Sequence, residues 1–107
     1  MHATPKAVFP TLVLDEVLDA ASCRAMRRFQ NRARRAPRCT AAIDLRRTRA
    51  TTSRPWATLV KIVRDLKRDD HAVTVLAGKR LIGLLEVTGL ARHARIIFPH
   101  AANTQLP

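Results

Sequence analysis

Arginine dominates the chemistry open to this chain. Arg24, Arg27, Arg28, Arg32, Arg34, Arg35 and Arg38 crowd one short segment, and Arg46, Arg47, Arg49 and Arg54 follow. A guanidinium stays charged and pairs with phosphate or carboxylate through two parallel N–H bonds, so the chemistry on offer is electrostatic docking. The chain carries 20 Lys and Arg against 8 Asp and Glu, a formal net charge of +12. That excess favours acidic partners: nucleic acid, an anionic membrane surface or an acidic protein. A solvated helix face in an arginine-rich composition is the other reading, and the residues alone leave both open. Phe29 and Trp56, the aromatic residues near the arginines, fit a core better than a base-stacking platform. No zinc-finger, RNP or other standard recognition motif occurs, which places nucleic acid behind protein as the expected partner.

Bond-breaking chemistry has little to work with. Asp15, Glu16 and Asp19 cluster where a helix should begin, and capping with dipole complementation accounts for them. Asp69-Asp70 reads as a turn. The chain has only three glycines and lacks GxSxG, Walker A and dinucleotide-binding fingerprints. No enzymatic activity and no cofactor are expected. His2, His71, His93 and His100 have no metal-ligand spacing, so no metal site is expected. Cys23 and Cys39 form no CxxC pair and read as reduced, buried residues of a cytoplasmic protein. The first ten residues lack the pattern of a secretory signal, and no apolar run approaches the ~20 residues of a membrane span.

The elements that must position these residues alternate. Ala7–Leu14 reads as strand, with Pro10 at its edge or splitting it. A helix over 20–35 places Cys23, Met26, Phe29, Gln30 and Ala33 on one side and Arg24, Arg28, Arg32 and Arg35 on the other. Pro37 stops it. Thr40–Leu45 and Ala72–Leu76 read as buried parallel strands. Between them, a polar connection leads into a helix from Ser53–Pro55 to about Lys67, with Trp56, Leu59, Val60, Val63 and Leu66 at inward spacing. A third helix, Arg80 to about Val87, stops at Thr88-Gly89, where glycine suits a left-handed cap. Ile96–Phe98 is the last strand. Strand–helix alternation implies βαβ units and a small α/β domain with a largely parallel sheet of four to five strands. Residues 7–100 form one domain in this reading, with 1–6 an N-terminal extension and 101–107 a tail.

Three segments carry a resemblance to a known family. DEVLDAAS is similar to the G-E-L-D-x-x-[ST] entry into the first helix of STAS domains, with Leu18, Asp19 and Ser22 matching. AIDLRRTRATTSRPW is similar to V-L-D-L-S-x-V-x-x-[IM]-D-S-S-G-L, with Asp44, Leu45 and Ser53 matching and Trp56 in an apolar position. LLEVTGL, followed by an apolar strand and Phe98-Pro99, resembles the family's C-terminal signature. The resemblance implies a non-catalytic interaction domain, in its antagonist members an anti-sigma-factor antagonist of a bacterial partner switch. It implies that Ser53 is phosphorylated by an anti-sigma kinase of the histidine-kinase-like ATPase type, with Thr52 or Thr51 as substitute acceptors. Asp44, Arg46, Arg47, Arg49 and Arg54 would surround the docking surface. Thr52, Arg54 and Pro55 replace the family's aspartate, second serine and glycine. The alternative for Ser53 or Thr52 is a helix cap alone. A subunit of a phospholipid-type ABC transporter is the second functional reading, and a basic nucleic-acid-associated protein the third.

Overall fold

The computed structural model describes residues 10–36 and 40–99. In chain order the elements are β1 (Thr11–Val13), β2 (Val17–Leu18), α1 (Ala20–Arg35), β3 (Thr40–Leu45), β4 (Ala50–Thr51), α2 (Ser53–Arg68), β5 (Ala72–Ala77), α3 (Ile82–Thr88) and β6 (Arg95–Ile97). The architecture is α/β. Among the described residues a four-stranded, all-parallel sheet has the order β1-β3-β5-β6, and β2 and β4 form a separate two-residue parallel ladder.

Strand order decides where the helices go. Each crossover steps to the next position in the same direction, and crossovers of one hand that never reverse put every helix on the same side. Burial alternates accordingly. Leu12, Leu14, Ala41, Ile43, Leu45, Val73, Val75 and Ala77 lie in one core cluster with Met26, Phe29, Trp56, Leu59, Val63, Leu66 and Leu85. The other side of the sheet carries the register rows Thr11, Ala42, Thr74, Arg95 and Val13, Asp44, Leu76, Ile97, none of them buried. The two central strands, expected to be buried parallel strands, are parallel and bury one face, their other face being half-buried or exposed among the described residues. Their sequences alternate for that reason, with Thr40 and Asp44 on the uncovered side.

The helices follow their apolar spacing. Cys23, Met26, Phe29 and Ala33 of α1 are buried and Gln30 is half-buried. Asp19 accepts hydrogen bonds from the N–H groups of Ala21 (3.0 Å) and Ser22 (3.2 Å), and its own N–H donates to Ser22 Oγ at 2.9 Å. This reciprocal cap is worth about 1 kcal/mol and explains one of the clustered acids. Helix α2 buries Trp56, Leu59, Ile62, Val63 and Leu66 and ends at Asp69-Asp70. Asp70 takes φ +68°, a left-handed turn that aspartate tolerates.

Several boundaries shift. The first strand is only Thr11–Val13 within the described residues; 7–9 lie outside them, as do Arg38, Cys39, His2 and His100. The third helix is preceded by a 3₁₀ turn, Lys79–Leu81, so its α-helical part starts at Ile82 instead of Arg80. Gly89 closes it at φ +76°. The last strand sits one residue earlier than Ile96–Phe98. No helix among the described residues is long and apolar enough to cross a membrane.

Candidate docking site at the start of the second helix

The residues between β3 and α2 are held by backbone pairing. Glu16 O accepts the N–H groups of Arg49 (2.8 Å) and Ala50 (3.1 Å). Buried Thr48 donates its hydroxyl to Asp15 O at 2.9 Å, and the β2–β4 ladder pairs Val17 with Ala50 and Leu18 with Thr51. The polar connection is therefore a fixed platform at the carboxyl ends of β1 and β3.

Within this platform Asp44 and Arg46 pair with each other. Arg46 Nε donates to Asp44 Oδ1 at 3.0 Å and its terminal nitrogen to Oδ2 at 2.7 Å, while the Arg46 backbone N–H adds a 2.9 Å bond. The Arg46 side-chain hydrogen bonds lower the Asp44 pKa from its ordinary value, against the opposing effect of burial. The same pairing raises the Arg46 pKa. Arg46 is thus engaged with Asp44, whereas Arg47, Arg49 and Arg54 are exposed and form no ion pair among the described residues.

Neither candidate hydroxyl caps α2. Thr52 occupies the N-cap position with an extended backbone and no side-chain cap bond. Its position counts the reason: Pro55 is the third helical residue, so one of the two N–H groups that a cap oxygen ordinarily accepts is missing. Thr51 donates its hydroxyl to Thr52 O at 2.9 Å. Ser53 is the first helical residue, exposed, and its hydroxyl makes no hydrogen bond among the described residues. Arg54 is helical despite the following proline, so the helix begins at Ser53.

Ser53 opens onto a groove of about 460 Å³ between α2 and α3, lined by Thr51, Thr52, Ser53, Trp56, Ala57, Val60, Lys61, Arg64, Leu84 and Thr88. The floor is apolar and one rim is basic. Trp56, only 3% exposed, donates its indole N–H to Thr88 Oγ1 at 2.9 Å. Thr88 Oγ1 in turn donates to Leu84 O at 2.6 Å. No protein-family model, no curated protein and no solved structure matches the chain. The site therefore rests on its own geometry.

Sequence reasoning placed Ser53, Thr52 and the basic loop at this end of the molecule but missed the α3 side of the groove. Helical periodicity marks Leu84 as inward-facing; nothing in the sequence pairs Trp56 with Thr88. On the opposite flank, Arg24, Arg28, Arg32 and Arg35 are exposed along α1. Arg32 donates to Thr11 O at 3.4 Å and sits 6.0 Å from the Phe29 ring centroid. Cys23 is a buried free thiol. No metal-binding cluster exists among the described residues.

Proposed function

We propose that this chain is a non-catalytic protein-interaction domain that serves as an anti-sigma-factor antagonist in a bacterial cytoplasm. Ser53 is its phosphoacceptor and the groove beside it receives the partner. The observation that carries the reading is the uncommitted Ser53 hydroxyl, exposed at the first position of α2 and at the mouth of an apolar groove. The structural alternative, a helix cap, lacks its hydrogen bond.

The physical consequence of modification follows from the position. A phosphate on Ser53 adds about −1.5 to −2 charges at the groove mouth. The N-terminal dipole of α2 favours it, and Arg49 and Arg54 are close in sequence and unpaired. A partner seated on Trp56, Val60 and Leu84 would then meet a desolvation and repulsion penalty that the unmodified serine does not impose.

The test uses purified histidine-kinase-like anti-sigma proteins from the source genome, ATP, and mass spectrometry of the acceptor. Phosphate is expected on Ser53, with Thr52 and Thr51 as the fallback acceptors. Ser53→Ala is expected to keep binding, and Ser53→Asp to weaken it by about tenfold or more. The proposal fails when no kinase modifies the 51–53 segment and Ser53→Asp binds as wild type does.

A further inference from the structure

The positive charge is not spread over the molecule. Helices α1 and α2 together carry eleven Arg and Lys side chains, all exposed, against one carboxylate, Asp65. The rest of the chain carries nine Arg and Lys against seven Asp and Glu. The carboxylates are segregated from it: seven of the eight lie outside the two helices. Here nearly the whole excess of +12 lies on the two helices.

Packing turns that excess into one surface. Both helices cover the same face of the sheet and pack side by side. Their outer sides form a slab about 24 Å long at 1.5 Å per residue. The side chains of Arg24, Arg27, Arg28, Arg35, Arg54 and Arg64 form no ion pair or hydrogen bond among the described residues. A second groove, of about 310 Å³, runs between the helices; Arg27, Gln30, Asn31, Thr58 and Lys61 line it together with Ile62 and Asp65, whose carboxylate is paired with Lys61 and Arg68.

We infer that the outer face of α1 and α2 binds the phosphate backbone of duplex nucleic acid, without sequence preference. Arginine matches phosphate oxygens bidentately, and amide and hydroxyl donors in the groove add positioning contacts. Among the described residues the large exposed apolar ones are Val13, Val17, Ile82 and Val87, none of them on this slab. A protein interface needs a desolvated apolar or aromatic centre, and a membrane-adsorbing face uses apolar groups that enter the lipid; the slab has neither. The aromatic residues of α1 and α2, Phe29 and Trp56, are buried, so this face offers unpaired bases no aromatic platform and the duplex backbone is the form that fits. This inference stands on charge distribution and is independent of the role given to Ser53.

The test is fluorescence anisotropy of the full chain with two unrelated 20-base-pair DNA duplexes across salt concentrations. Six neutralised phosphates predict a slope of log K against log salt of about −5, or roughly a 10³-fold loss between 50 and 200 mM salt. The two duplexes should bind equally. Replacing Arg24, Arg27 and Arg28 by Gln should weaken binding more than about tenfold and cut the slope to about half. The same three changed to Lys should keep the slope. A control triple, Lys79→Gln, Arg80→Gln and Arg92→Gln, removes equal charge elsewhere and should change affinity by less than about threefold. Circular dichroism checks that each variant is folded. Equal losses in both Gln triples, no duplex binding at low salt, or equal competition by polyglutamate or phosphatidylserine vesicles overturns the inference.

Discussion

Thr88→Val should uncouple α2 from α3. The Trp56 indole is a donor only, buried at 3% exposure, and Thr88 Oγ1 is its acceptor at 2.9 Å. Valine keeps the shape of threonine and a similar helix propensity, so the change removes the acceptor and little else. The net bond is worth about 1 kcal/mol, and an unpartnered buried donor costs about 1–3 kcal/mol. We expect a loss of about 2 kcal/mol, a large share of the ~5–15 kcal/mol that holds a domain of this size together. The melting temperature should fall by roughly 8–16 °C. The Thr88–Leu84 bond adds little to this sum, because the Leu84 carbonyl already faces the helical N–H of Thr88.

Urea unfolding measures the change, and the protein supplies its own probe: it has one tryptophan and no tyrosine, so emission reports Trp56 alone. A double-mutant cycle with Trp56→Phe, followed by circular dichroism, isolates the bond. Phenylalanine needs no acceptor, so Thr88→Val in that background should cost less than about 0.5 kcal/mol, leaving a coupling of about 1.5 kcal/mol. Equal cost in both backgrounds, or a single-variant loss below about 0.5 kcal/mol, refutes the role of this hydrogen bond in joining the two helices.

Two further outcomes are expected. Gly89→Ala should cost about 1–2 kcal/mol by urea unfolding, because φ at Gly89 is +76°; its added Cβ would meet nothing nearer than the Arg92 side chain at 3.8 Å, so a loss well above this range would contradict a purely backbone origin. Asp44→Asn should destabilise by at most about 1 kcal/mol near neutrality, since the Arg46 partner is 53% exposed and screened. The Asp44 pKa is lowered in the folded chain, so its contribution is present above the unfolded value of about 4 and is lost as pH falls through the folded one. The deficit should therefore vanish at strongly acid pH, and a deficit that persists there would show that Asp44 acts through packing.

The elements were legible because each has a clean period. The 3.6-residue spacing of Met26, Phe29 and Ala33, or of Leu59, Val63 and Leu66, predicts helices that bury those residues, and they are buried. What strand composition left open was the second face of the sheet. Ala-Ala-Ile and Val-Thr-Val read as buried runs because alanine and threonine are small enough for either environment. Only the register shows that Ala42 and Thr74 share a row with exposed Thr11 and Arg95. The β2–β4 ladder was invisible for a different reason: two residues give no period, and the pairing depends on Glu16 O meeting the N–H groups of Arg49 and Ala50. The cap weighed as the alternative role of Thr52 or Ser53 is not formed, and the proline that suits the first turn removes one of its two donors.

Single-sided coverage ties the candidate sites together. A sheet with helices on both faces must keep every helix partly apolar and divides its outer surface between two layers. Among the described residues one layer does the covering, and only its inner side is constrained by the core. The outer sides of α1 and α2 were free to accumulate arginine, while the α2–α3 seam kept an apolar floor under Ser53. Lys61 and Arg64 on the rim of that seam belong to the same helix as the slab, so charge on one surface is felt at the other. Duplex bound on the slab would lower the local positive potential and, by Coulomb's law at surface dielectric, weaken attraction of any acidic group to the Lys61 and Arg64 rim within a Debye length of about 8 Å at physiological salt. The two surfaces should therefore compete electrostatically at low salt and become independent at high salt.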